Sequence, residues 1–282
     1  MFFLLFVQND LPVNPAYIDS VKNVPNVTIL NRSKWFNAVT IYTTDKNALN
    51  TIKNFSFVAD TQSVQRHHRK MGIEEKLSPV FISPGKEENG ESEMKPGMGV
   101  IASYDYGYSF NQIDMIGGVC MHNQGFHGEG MQIAVLDAGF YKVDSLPIFD
   151  SLRTNGQILG TWDFVDNDST VYDAHPHGTM VLSTMGGNLP GMIVGTAPKA
   201  QFWLLRTEEA ATEYIIEEGN WVSGAEFADS AGADILTTSL GYTEYDDSTQ
   251  SHTYADMDGN TCRISIGTDI AVSKGIFAVC NS

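Results

Sequence analysis

The sequence predicts an α/β fold: a parallel sheet flanked by helices, incomplete within these 282 residues and preceded by a small α+β unit. Three observations carry this. After residue 99, short apolar runs alternate with helical stretches, the pattern of successive βαβ units. Before residue 65 the elements are shorter and mixed. Charge changes between the two parts: residues 1–98 hold 11 basic and 10 acidic side chains, residues 99–282 hold 6 and 24.

The N-terminal part reads as βαββαβ. Residues 1–7 (MFFLLFV) form the expected first strand, or follow a start codon downstream of a true leader. The run is too short to span a membrane, and it lacks the basic flank and cleavage site of a signal peptide. Residues 14–22 form a helix with Pro15 in its first turn. Residues 27–30 and 36–42 are strands separated by polar residues 31–34. Asp45 caps a helix through residue 52, and residues 55–58 resume a strand. This order is ferredoxin-like. Residues 65–98, with the basic run QRHHRK and a Glu-, Gly- and Pro-rich stretch, read as a linker or processing region containing the apolar residues 79–82.

From residue 99 onward, strands are expected at 132–136, 202–205, 235–240 and 276–279. Helices are expected at 176–185, 220–231 and 262–274. The second helix places Trp221, Val222, Ala225 and Ala228 on one face and stops at Gly232.

Composition narrows the function. A net charge of −17 argues against nucleic acid and anionic membrane surfaces as partners. Cys120, Cys262 and Cys280 show no metal-ligand spacing and read as small buried hydrophobes. His67 and His68, and the pair His175 and His177, lack a third ligand nearby in sequence, so metal binding is not their first reading. The acidic run 163–168 (DFVDND) reads as a solvated loop, with calcium as its alternative.

Five motifs carry chemistry. Residues 133–139 (IAVLDAG) are a buried strand ending in Asp137, where open α/β sheets place functional groups. Alone, Asp137 could equally cap a turn. Residues 173–181 (DAHPHGTMV) put His177 at a helix start, where it could equally be a solvent-facing cap. Residues 195–200 (GTAPKA) turn into the next strand. Residues 234–241 (DILTTSLG) end in Ser239, Leu240 and Gly241, whose backbone can pair with an extended peptide. Residues 274–282 (KGIFAVCNS) complete the set.

In this order the five motifs resemble the subtilisin family, the subtilases, over residues 99–282. Residues 106–124 with 128–130 resemble the start of the mature domain, and residues 1–64 more weakly resemble the inhibitory propeptide of such proteases. The resemblance implies a subtilisin-like sheet and serine-type peptide-bond hydrolysis. It implies His177 as general base, Asp137 as its orienting acid, and Ser239, Leu240 and Gly241 as substrate-binding residues. It also implies secretion to the extracellular space or cell envelope. The partners are then a peptide or protein substrate and the chain's own propeptide, with no nucleic acid, no membrane span and no required cofactor. The family's oxyanion Asn and the serine of its Gly-Thr-Ser-Met-Ala motif are expected beyond Ser282. These 282 residues are therefore expected to be a fragment, inactive alone. A nucleotide-binding Rossmann domain is the first rival, but G-x-G-x-x-G is absent. The second is a non-enzymatic binding or inhibitory module, which depends on whether residues 1–64 cover the Asp137/His177 cleft.

Overall fold

The computed structural model describes residues 8–64 and 103–280. The expected strand 1–7, the segment 65–98 with His67 and His68, and Asn281 and Ser282 lie outside the described residues.

In the N-terminal unit, helix α1 (Pro15–Lys22) opens on Asn14, whose side chain accepts from the Ala16 amide. Strands β1 (Thr28–Ser33) and β2 (Ala38–Tyr42) form an antiparallel hairpin. Helix α2 (Lys46–Lys53) is capped by Asp45. Two expectations are corrected. The polar residues 31–33 lie in β1, and the turn falls at 34–37, because Asn31 and Ser33 hydrogen-bond to another part of the chain. Residues 55–58 form turns, since the Phe55 and Val58 amides bond locally to Ile52 and Phe55. Their side chains still fill the small core around Val21, Ala48 and Ile52.

The larger unit begins with α3 (Phe110–Met115) and α4 (Gly118–Asn123). Strand β3 (Gln132–Asp137), α5 (Asp150–Thr154), β4 (Ile158–Asp163) and α6 (His177–Gly186) follow. A short hairpin, β5 (Asn188–Leu189) and β6 (Ile193–Val194), leads to β7 (Gln201–Arg206). Helix α7 (Ile216–Ala231), β8 (Ile235–Thr238), α8 (Arg263–Ser273) and β9 (Phe277–Cys280) complete the unit. Five parallel strands lie in the order β4-β7-β3-β8-β9.

Strand β3 is central, and its side chains alternate between two cores. Ala134 and Leu136 join Trp221, Val222 and Ala225 of α7, while Ile133 and Val135 join Leu182 of α6 and Phe202 of β7. A sheet with helices on both faces needs this two-sided burial. Strand β8 ends at Thr238, two residues before the expected end. Strand β4 has no clear sequence signature, because it is a half-buried edge strand.

The cysteines need a correction. Cys262 is buried, but Cys120 and Cys280 are exposed, on the outer side of α4 and on the outer strand β9. No helix among the described residues is long and apolar enough to cross a membrane.

The hairpin of the N-terminal unit sits on α7. Ser33 Oγ and the backbone amides of Lys34 and Trp35 all donate to the Glu226 carboxylate, at 2.5, 2.9 and 3.1 Å. Asn31 donates to Asn220 at 2.7 Å, Lys34 pairs with Asp229 at 3.0 Å, and Trp35 enters the core beneath α7. Farther along, the Val64 carbonyl accepts from the Ile216 amide. With the Arg263 guanidinium of α8 donating to Gln62 Oε1 at 3.0 Å, these contacts place the described residues of the unit on α7 and α8 rather than over Asp137 and His177.

Candidate active site

Asp137 is the last residue of β3 and is 0% exposed. Its Oδ1 accepts from the Ala138 amide at 2.7 Å and from His177 Nδ1 at 2.8 Å. Oδ2 is buried without a hydrogen-bond partner. Burial pushes the Asp137 carboxyl above its ordinary value, and the His177 hydrogen bond opposes that rise. His177 is the first residue of α6, and its side chain is 36% exposed. With Nδ1–H held by the carboxylate, Nε2 is the ring nitrogen left to take a proton from a reacting group.

The glycines beside these residues explain the motifs. A Cβ on Gly178 would lie 2.5 Å from the Gly139 carbonyl oxygen and 2.9 Å from Asp137 Cβ. Gly139 has φ +147°, and a Cβ there would lie 2.5 Å from the His175 amide nitrogen. Only glycine at both positions lets the start of α6 close onto the end of β3. Thr179 Oγ1 then donates to the Tyr141 carbonyl at 2.9 Å, fixing the helix to the loop after β3.

The other expected residues fall on the neighbouring strand. Thr238 pairs in register with Leu136, so Ser239 stands level with Asp137 at the carboxyl end of the sheet. Trp221 Nε1 donates to Thr238 Oγ1, which donates to the Leu136 carbonyl, tying α7, β8 and β3 together. Ser239 and Leu240 are half-buried and Gly241 is exposed. His175 Nδ1 accepts from the His177 amide at 3.3 Å, and among the described residues the two rings do not converge with a third ligand. In the acidic run, Asp163 and Asp166 both accept from Arg206, at 2.8 and 2.9 Å. Asp163 also accepts from the Val165 and Asp166 amides. The run is thus an ion-paired turn rather than a purely solvated loop.

Two groups escaped sequence reading. Glu208 and Glu217 are buried near Tyr242, and burial first, then neighbouring carboxylates, pushes them up to about 8 and about 9. Glu218, in the first turn of α7, accepts from Tyr245 Oη at 2.7 Å, His252 Nε2 at 2.5 Å and the Arg263 amide at 3.1 Å. Two adjacent glutamates at a helix start look in sequence like solvated charges favouring the helix dipole, so nothing local announces either cluster.

A family model described as the subtilase family matches residues 128–281, and one described as the peptidase S8 propeptide domain, Bacteroidota, matches residues 4–77. Thermitase of Thermoactinomyces vulgaris is 33% identical over 122 residues, 41% of this chain and 39% of that protein. Subtilisin E of Bacillus subtilis (strain 168) is 27% identical over 132 residues, 46% of this chain and 32% of that protein. The crystal structure of MycP1 from Mycobacterium smegmatis superposes with a TM-score of 0.43 at 20% identity, covering 63% of this chain and 45% of that one. The chain thus spans less than half the length of each of these relatives.

Proposed function

Because this chain belongs to the subtilase family, we propose that it carries the acid and base of a serine endopeptidase site, with His177 as general base and Asp137 as the residue that orients it. The observation that carries this is the 2.8 Å contact between His177 Nδ1 and a fully buried carboxylate. Such a carboxylate fixes the imidazole tautomer and stabilises the imidazolium formed when a nucleophile gives up its proton. Ser239, Leu240 and Gly241 offer backbone to an extended peptide substrate. Residues 1–64 act as the chain's own propeptide, residues 65–98 as the linker and residues 99–282 as the catalytic part, working outside the cell without a required cofactor.

Residues 1–282 contain no Gly-Thr-Ser motif. The acid and base alone have no hydroxyl to activate, and triad members act as a unit: in the relative subtilisin, loss of the serine costs roughly 10⁶-fold in kcat. Purified residues 1–282 are therefore expected to leave casein intact and to resist labelling by a fluorophosphonate. A chain extended through a Gly-Thr-Ser-Met-Ala segment gains both signals, and His177→Ala removes them again. Labelling of residues 1–282 themselves would assign the nucleophile to one of their own serines and overturn this account.

A further inference from the structure

We propose that Glu218, His252 and Cys262 form a structural site for a zinc-class cation, separate from the Asp137–His177 pair. The three come from the first turn of α7, the loop after Gly241 and the residue capping α8. One ligand atom from each lies within 4.8 Å of the others, and no other three His, Cys, Asp or Glu side chains converge this closely among the described residues. The donor set is one carboxylate oxygen, one imidazole nitrogen and one thiol sulfur. Nitrogen and sulfur donors suit zinc and cobalt, whereas calcium takes oxygen alone.

Two further features fit a metal better than the alternatives. Cys262 is 0% exposed, so its sulfur cannot meet a peptide, and the Cys-His-Glu set cannot serve as a nucleophilic triad. The His252 side chain is 14% exposed and leaves a path for a small ion. The carboxylate is also oriented from outside the set: Tyr245 Oη holds Glu218 Oε1, and the Arg263 amide holds Oε2. Metal ligands are commonly fixed by such outer hydrogen bonds. Loading releases two protons to solvent, the one in the His252 Nε2–Glu218 Oε1 hydrogen bond, at 2.5 Å, and the one on the Cys262 thiol, which ligates as thiolate. That hydrogen bond opens on loading, because two ligands of one tetrahedral ion stand roughly 3.3 Å apart. The bound ion staples the loop after Ser239–Gly241 to α7 and α8.

The test is cobalt titration of residues 1–282 after chelator treatment. The expected result is one equivalent of Co²⁺ with thiolate-to-cobalt charge-transfer absorption, displaced by Zn²⁺ and indifferent to excess Ca²⁺. Cys262→Ser loses the band, while Cys120→Ser and Cys280→Ser keep it. His252→Gln, which leaves the buried thiol in place, weakens cobalt binding at least about tenfold. Zinc raises the melting temperature of the unaltered chain more than that of His252→Gln. Absence of the band at saturating Co²⁺, or a band that survives Cys262→Ser, overturns the site.

Discussion

Gly178 shows how one missing side chain holds Asp137 and His177 together. The atoms a Cβ would meet are the Gly139 carbonyl oxygen and the Cβ of Asp137, neither the far end of a flexible side chain. Gly178→Ala must therefore move α6 away from β3. It is expected to destabilise the fold by about 2–3 kcal/mol, read as a lower denaturant midpoint with unchanged slope. Gly219→Ala serves as the opposite case. Gly219 lies inside α7, and its added Cβ meets only Thr40 Oγ1 at 3.8 Å. Alanine is the better helix former by about 0.8–1 kcal/mol, so the same chemical change should be neutral or stabilising there. Equal losses at both positions would refute the close-approach argument.

Helix α7 holds several buried acids, and this makes stability depend on pH. Glu217 lies in its first turn, 1% exposed, and Glu208 lies in the loop just before it. The unfolded chain releases both protons near the ordinary value of 4.5, whereas the fold retains them to about 8 and about 9. Between those limits the folded state binds more protons, so stability falls as pH rises. The melting temperature should decline from pH 5 to pH 9, and Glu217→Gln should recover about 2 kcal/mol or more at pH 9 relative to pH 5. A flat profile in the unaltered chain would refute the buried-acid account. At this scale the sequence is legible where periodicity is strong. Ile133 to Leu136, the apolar face of α7 and the His-Gly-Thr helix start all point to their structural places. It is silent where meaning depends on distant partners. The turns at 55–58 hide because apolar anchors look alike in a turn and in a strand. Glu218, His252 and Cys262 hide because folding, not spacing, brings them together. Asp137 and His177, 40 residues apart, are legible because each sits at the end of a regular element beside a glycine.

At the scale of the whole molecule, the described residues form two units whose contact centres on α7, with further hydrogen bonds at Gln62–Arg263 and Asn31–Phe164. Glu226 of α7 gathers three hydrogen bonds from the hairpin at residues 33–35, in a largely buried setting. Glu226→Ala leaves those donors without an acceptor and is expected to weaken the contact by about 2–4 kcal/mol. Faster amide exchange in β1 and β2 would report it, while the amides of β3 and β7 should exchange as before. The contact has a further consequence because both sides belong to one chain. A covalent connection makes the contact intramolecular, so its strength does not depend on the bulk concentration. Cutting the chain between residues 64 and 103 abolishes that advantage and turns a unimolecular contact into a bimolecular one. The N-terminal unit then leaves by simple mass action as the solution is diluted, so secretion into a large volume would by itself favour its release.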